Sequence, residues 1–344
     1  MSYDALREKF MAIHGDPAPL DRFLEHAPAS ALEGIEHLGL LIIAPEAFAR
    51  GVGRAITDKV ESAGFILLDS AVLDPMTMDE IGMMFVPRWM PARFRWWLLE
   101  ERYRMGPSVA LLLSHNEGNP IAARLDQGKG RAQPQLAAVG TWRRELGALN
   151  GVLNLMHTSD GPPELVRHAT PFFGAQRLAR ALNAARAVRN GASPPTSWHA
   201  LRESTLGGLD SDPPVCPRFI EAYASLLLRL LFTARTGGDQ LAQACRALEY
   251  LRTQGQVWGL PEEGLAAVSL VRRCLPVLPP PTALLIDALT DLPQCRYRQW
   301  ERLLDCRATG LPLDRWSRLV LMSTLFFADR ELLSPEVCSA VART

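Results

Sequence analysis

The sequence predicts an α+β fold followed by an all-helical region. Between positions 37 and 175, short apolar runs of strand length alternate with amphipathic stretches of helical spacing. Beyond 175 the apolar spacing is helical throughout, broken by Pro/Gly clusters such as Leu278-Pro279-Pro280-Pro281. Of the 344 residues, 48% are hydrophobic and 22% charged, enough apolar material for packed cores in two domains. The expected organisation is a helical lead-in over 1–36, an α+β domain over 37–175 and an all-helical domain over 176–344.

In order, Asp16-Pro17 divides the lead-in into short helices. Leu38–Ile43 is a continuous apolar run ended by Pro45 and reads as a first strand. Val52–Ala63 has helical spacing and stops at Gly64, a residue suited to a helix C-cap. Phe65–Leu68 reads as a second strand, Met78–Met84 and Arg93–Arg104 as helices, and Ser108–Leu113 as a third strand. Asp126–Val139 lacks a period and reads as a loop. Val152–Met156 reads as a fourth strand, and Pro163–Phe172 as a helix entered through Ser159 or Asp160 with proline in its first turn. Seven helices are expected after 175: Gln176–Val188, Pro217–Ala234, Asp239–Thr253, Glu262–Arg273, Thr282–Leu289, Tyr297–Cys306 and Arg315–Phe327.

Acidic and basic residues balance at 37 each, so no global field is present to hold nucleic acid or an anionic membrane. Only Lys9, Lys59 and Lys129 are lysines; every other basic residue is arginine. The six cysteines (Cys216, Cys245, Cys274, Cys295, Cys306, Cys338) form no Cys-x-x-Cys pair, so no zinc site is signalled; they read as reduced thiols on helices. A charged N-terminus and apolar runs too short to span a bilayer predict a soluble, cytoplasmic protein with no membrane or nucleic-acid partner.

One constellation carries chemistry. Asn154-Leu155-Met156-His157-Thr158-Ser159-Asp160 places a histidine at a strand end, two residues before a serine-aspartate pair. With Ile43-Ala44-Pro45-Glu46, Met105-Gly106-Pro107-Ser108 and Gly140-Thr141-Trp142-Arg143, in that order, it resembles the nucleoside diphosphate kinase family over about 40% of the chain. The resemblance implies a ferredoxin-like βαββαβ domain, Mg²⁺ with ATP or another nucleoside triphosphate, and a phosphohistidine on His157. Neutral imidazole can accept and return a phosphoryl group near neutral pH, while fixed guanidinium groups stabilise the charge in transit. It further implies phosphate contacts from Arg143, Arg124 and Asn154, with Lys129 a candidate to reach the phosphates. Ser159 and His168 fall where the imidazole is oriented, and Phe94 and Leu99 where the base is clamped. A symmetric homo-oligomer is also implied.

Three departures accompany this resemblance. Ala44 stands where the family has a phosphate-contacting lysine, and Glu46 replaces an aspartate. His168 replaces the carboxylate that holds the catalytic imidazole, and the nucleotide-covering loop is rewritten around Asp126–Arg131. Two readings therefore stand: a diverged phosphotransferase, or a catalytically impaired nucleotide-binding pseudokinase whose helical domain engages a protein partner.

Overall fold

The computed structural model describes residues 3–27, 29–85, 93–116, 120–209, 215–233, 239–253, 262–274 and 313–328. Contacts divide the chain into two compact units: Met1–Ala148 with Asn154–Pro214, and Leu149–Leu153 with Val215–Thr344.

The first unit is built on a four-stranded antiparallel sheet in the order β2-β3-β1-β4, the ferredoxin-like arrangement. Its strands are β1 (Gly39–Ile43), β2 (Ile66–Leu73), β3 (Ser108–Ser114) and β4 (Met156–Thr158). β1 and β3 are buried along their whole length, which is why each reads as an unbroken apolar run rather than an alternating one. Ile42 pairs with Ala110 on one side and His157 on the other, fixing the histidine's position across the sheet. Two helices, α1 (Tyr3–His14) and α2 (Ala18–Leu24), and a 3₁₀ segment (Ala29–His37) precede the sheet. All three pack on the long helix that follows β4. Between strands lie α3 (Pro45–Ala49), α4 (Gly53–Ser62), α5 (Met78–Met84) and α6 (Arg93–Tyr103). α5 starts at a reciprocal cap in which Thr77 and Glu80 each satisfy the other's backbone N–H.

Three elements differ from the sequence reading. Ile121–Lys129 is a helix, α7, overlapping the expected loop at Asp126–Lys129; a 3₁₀ turn (Pro134–Leu136) and the short α8 (Trp142–Glu145) follow. Gly128 is tolerated because the Trp142 ring occupies the space a Cβ would need, with ring carbon Cζ2 at 2.5 Å. The fourth strand begins at Met156, not Val152, because Asn150 Oδ1 accepts the N–H groups of Val152 and Leu153 and holds that segment in a turn. Finally, the helical stretch α9 (Pro162–Arg189) is two helices joined at a break at Gly174 (φ 65°, ψ 170°), in keeping with the separate runs Pro163–Phe172 and Gln176–Val188, but the sheet-containing unit does not end at position 175. α9 and α10 (Trp198–Leu201) both belong to the unit that contains the sheet.

The second unit contains α11 (Phe219–Thr233), α12 (Asp239–Thr253), α13 (Glu262–Cys274) and α14 (Arg315–Ala328), close to the expected bounds. α11 packs on α12, α13 and α14. Asn150 Nδ2 donates to Ser323 Oγ (2.8 Å) and Thr324 Oγ1 (3.3 Å), while Gly151 abuts the Phe327 ring, where a Cβ would stand 2.6 Å from a ring carbon. Cys216 and Cys274 are buried. The helices expected over Thr282–Leu289 and Tyr297–Cys306, and Cys295, Cys306 and Cys338, lie outside the described residues.

Candidate functional site around His157

β4 contributes only three residues, and alternation along it sets the site. Lys129 at the end of α7 donates to Thr158 Oγ1, one residue beyond His157. His157 packs against α9, with its Nε2 3.1 Å from Nδ1 of His168. Phe85, just past α5, approaches His157 with ring centroids 5.5 Å apart. His168 in turn faces His14, the last residue of α1, edge-on at 6.5 Å, and His14 packs on Phe10. The sequence resemblance thus brings His157 and His168 within hydrogen-bonding distance, but between two imidazoles rather than an imidazole and a carboxylate. His14, a lone histidine in a lead-in helix, carried no sequence signal for this position.

Burial holds the His157 imidazole well below its ordinary pKa, and nearby His168, Lys129, Arg143 and Arg102 add to the effect. Burial likewise lowers His168 to about 3, with His14 and Arg167 acting in the same direction. Both rings are neutral near pH 7, so one nitrogen of the contact donates and the other accepts.

Beside the histidines lies a buried polar cluster. Glu46 on α3 is 0% exposed and Arg102 at the end of α6 is 2% exposed. Arg102 donates through Nε to Glu46 Oε2 (2.8 Å) and through Nη2 to Glu46 Oε1 (2.5 Å), and Nη2 also reaches Asn154 Oδ1 (3.2 Å). Glu46 Oε1 accepts the Leu155 N–H at 2.8 Å. Leu155 sits at φ 72°, a left-handed conformation unfavourable for a branched side chain, and its carbonyl accepts the Ala44 N–H. The chain therefore turns sharply at Leu155 before entering β4. Arg102 carried no sequence signal beyond its place in the helix expected over Arg93–Arg104.

The residues expected to contact phosphate have other partners. Arg143 is buried and donates through Nε to the Asn154 carbonyl (3.2 Å), through Nη1 to Gly130 (2.7 Å) and through Nη2 to Met156 (2.6 Å). It braces the chain into β4 against the end of α7. Burial, with the neighbouring Arg102 charge, lowers it to about 10. Lys129 pairs with Asp126 (3.1 Å) and Asp160 (3.8 Å), and burial lowers its pKa. Arg124 lies near His115, which follows β3; burial first, and the Arg124 charge second, lower that imidazole. His115 lies five residues beyond Ala110, the residue in the same cross-sheet row as His157, or about 16 Å along the strand.

Ser159 is buried and lines a cleft of about 560 Å³ together with Glu36, Asp126 and Asp160. Ala44 is fully buried and contributes no charge. Leu99 is buried in the core; the Phe94 side chain lies outside the described residues.

These residues do not fit a magnesium nucleotide held as the family resemblance implies. The guanidinium and ammonium groups around His157 already pair with protein acceptors, and the buried Ala44 brings no charge in their place.

Over about 40% of its length this chain is structurally similar to nucleoside diphosphate kinases. It is similar to the apo enzyme from Encephalitozoon cuniculi, at 19% identity and a TM-score of 0.36, over 40% of this chain and 89% of that one. It is also similar to the enzyme from Aquifex aeolicus, at 25% identity and a TM-score of 0.34, over 39% of this chain and 92% of that one. No family model matches the sequence, and no curated protein does. Among the described residues, no helix is long and apolar enough to cross a membrane.

Proposed function

We propose that residues 37–175 form a catalytically impaired nucleoside diphosphate kinase-like domain, in which the histidine is retained and the charges that stabilise a transferring phosphoryl group are not available to it. One observation carries this reading: Arg143 directs all three of its nitrogens to backbone carbonyls of Asn154, Gly130 and Met156. Phosphoryl transfer depends almost wholly on positioning and on fixed positive charge. Here the charge beside β4 is spent on structure, and Ala44 supplies none.

A second reading, phosphotransfer through a phosphohistidine on His157, is favoured by the His157–His168 contact. If His157 Nε2–H donates to His168 Nδ1, His157 Nδ1 retains its lone pair and can attack the terminal phosphorus of a nucleoside triphosphate, breaking its bond to the bridging oxygen and releasing the diphosphate, while the Nε2 proton stays shared with His168. Incubation with γ-labelled ATP and Mg²⁺ separates the readings. The impaired domain yields no acid-labile, alkali-stable label. Label that appears in the wild type and vanishes in His157→Ala establishes the second reading. Calorimetric titration with ADP and Mg²⁺ then measures whether any nucleotide binds.

A further inference from the structure

Among the described residues, β2 and β4 are the outer strands of the sheet. β4, at three residues, is too short to template another strand, whereas β2 runs for eight. A long outer strand presents a row of backbone N–H and C=O groups with which a second chain can pair. The chain carries no net charge, so no long-range repulsion keeps two copies apart. Cover for β2 has to come from contacts within the fold.

Residues that follow Gly174 take up the outward side of β2. In an antiparallel ladder, successive residues alternate between facing the neighbouring strand and facing away from it. Ser70 faces away: its N–H donates to Asp69 Oδ1 (2.8 Å) and its carbonyl accepts from Arg177 Nη2 (2.9 Å). The same guanidinium holds both carboxylate oxygens of Asp69, through Nε at 3.0 Å and Nη2 at 2.7 Å, and lies over the Phe173 ring at 5.0 Å. At the start of the strand, Trp198 Nε1 donates to the Phe65 carbonyl at 3.2 Å. Pro194 and Pro195 run beside Phe65–Leu67 across a hollow of about 870 Å³; lacking N–H groups, they cannot extend the ladder. Trp198, Leu201 and Leu206 belong to the same buried cluster as Ile56, Val60 and Phe65. Arg202 adds ion pairs to α4, with Asp58 at 2.8 Å and with Glu61.

We infer that the segment from Arg177 to Leu206 is a built-in strap that closes the β2 edge against antiparallel pairing with a second copy of this chain. Its two ends differ in strength. The Trp198 end is anchored by buried apolar side chains, whereas the Arg177 and Asp69 side chains are 37% and 32% exposed. Their ion pair is the point at which the edge opens. Val72, two residues beyond Ser70 and 39% exposed, faces away by the same alternation. Once Asp69 and Arg177 release Ser70, its N–H and carbonyl join those of Val72 in one outward row, which a two-fold related copy of β2 complements. This closure does not depend on any chemistry at His157.

Amide exchange of the full chain at about 10 µM and about 300 µM tests the strap, because pairing between copies gives protection that grows with concentration. In the wild type, exchange over Ile66–Leu73 is the same at both concentrations. Asp69→Ala/Arg177→Ala removes one acid and one base, leaves the net charge unchanged and opens the edge. In that protein the amides of Ser70 and Val72 are expected to exchange at least about threefold more slowly at the higher concentration, with dimer seen in sedimentation equilibrium. Adding Val72→Lys, a charge on the exposed edge, abolishes both effects. If the double variant does not fold, Arg177→Gln, which frees the Ser70 carbonyl alone, gives the same slowing at Val72. No concentration-dependent slowing in a folded variant, slowing that survives Val72→Lys, or the same slowing in the wild type overturns the inference.

Discussion

The Glu46 carboxylate and the Arg102 guanidinium form an enclosed two-point ion pair, and the same carboxylate fixes the Leu155 backbone N–H. One acidic residue on α3 thereby ties the end of α6 to the turn that launches β4. Removing one partner of such a pair leaves an uncompensated buried charge, a loss of about 3–5 kcal/mol. Glu46→Ala is expected to destabilise the first unit by that amount in urea unfolding. Arg102→Met, which removes the charge but leaves Glu46 buried, should be comparably harmful. A loss below about 1 kcal/mol for both would mean the pair is solvated.

Arg143 distinguishes a phosphate ligand from a structural brace. Three hydrogen bonds from a charged donor to backbone carbonyls contribute about 1.5–3 kcal/mol each when made. Lysine keeps the charge but cannot reach three acceptors at once. Arg143→Lys is therefore expected to cost several kcal/mol and to speed amide exchange at Met156–Thr158. An arginine serving mainly to bind phosphate would give the opposite pattern: unchanged stability and weakened nucleotide binding.

Much of the fold was legible because its core strands are buried on both faces. Leu38–Ile43 and Ser108–Leu113 read as unbroken apolar runs, and the spacing over Met78–Met84 marked α5. The His157–His168 pairing was legible through the motif, since a strand end and the following helix hold their spacing. What failed were features decided by contacts distant in sequence. Val152–Asn154 has strand composition, but Asn150 caps it into a turn. Gly128 and Gly130 suggested a loop, yet Trp142 and Thr141 fill the space beside them and let α7 run to Lys129. Arg102 sits among charged helix residues, and only its partner 56 positions earlier reveals its burial. Arg143 was found by motif, but its engagement by three carbonyls follows from how the chain folds back on itself.

Leu155 reverses the usual ranking of small residues. At φ 72° an L-residue is strained by about 1–2 kcal/mol, whereas glycine is not. The Leu155 side chain is also 0% exposed, so truncation itself costs about 2–5 kcal/mol. Both Leu155→Ala and Leu155→Gly should be less stable than the wild type. Leu155→Gly should nevertheless be the more stable of the two by about 1 kcal/mol, opposite to the order found at most sites. The reverse order in thermal unfolding would show that the turn relaxes out of the left-handed region.

Stability should also fall with acid in a window set by His168. Its folded pKa is about 3 against 6.5 for an unburied histidine, because burial and the adjacent His14 and Arg167 oppose protonation. The unfolded chain therefore binds the proton first as pH falls. The contribution is fully present above pH 6.5 and is lost progressively down to about pH 3, at up to about 1.4 kcal/mol per pH unit. His157 shifts in the same direction and adds to the slope. Carboxylates supply an acid slope of their own, so the diagnostic quantity is a difference. Urea unfolding between pH 7.5 and 4.5 should be less pH-dependent in His168→Gln than in the wild type, with the two curves diverging below pH 6.5. Restoring a carboxylate at this position, His168→Glu, should raise the His157 pKa, followed by its imidazole proton resonances. Curves that stay parallel across the window would mean that His168 is protonated as readily in the folded chain as in the unfolded one.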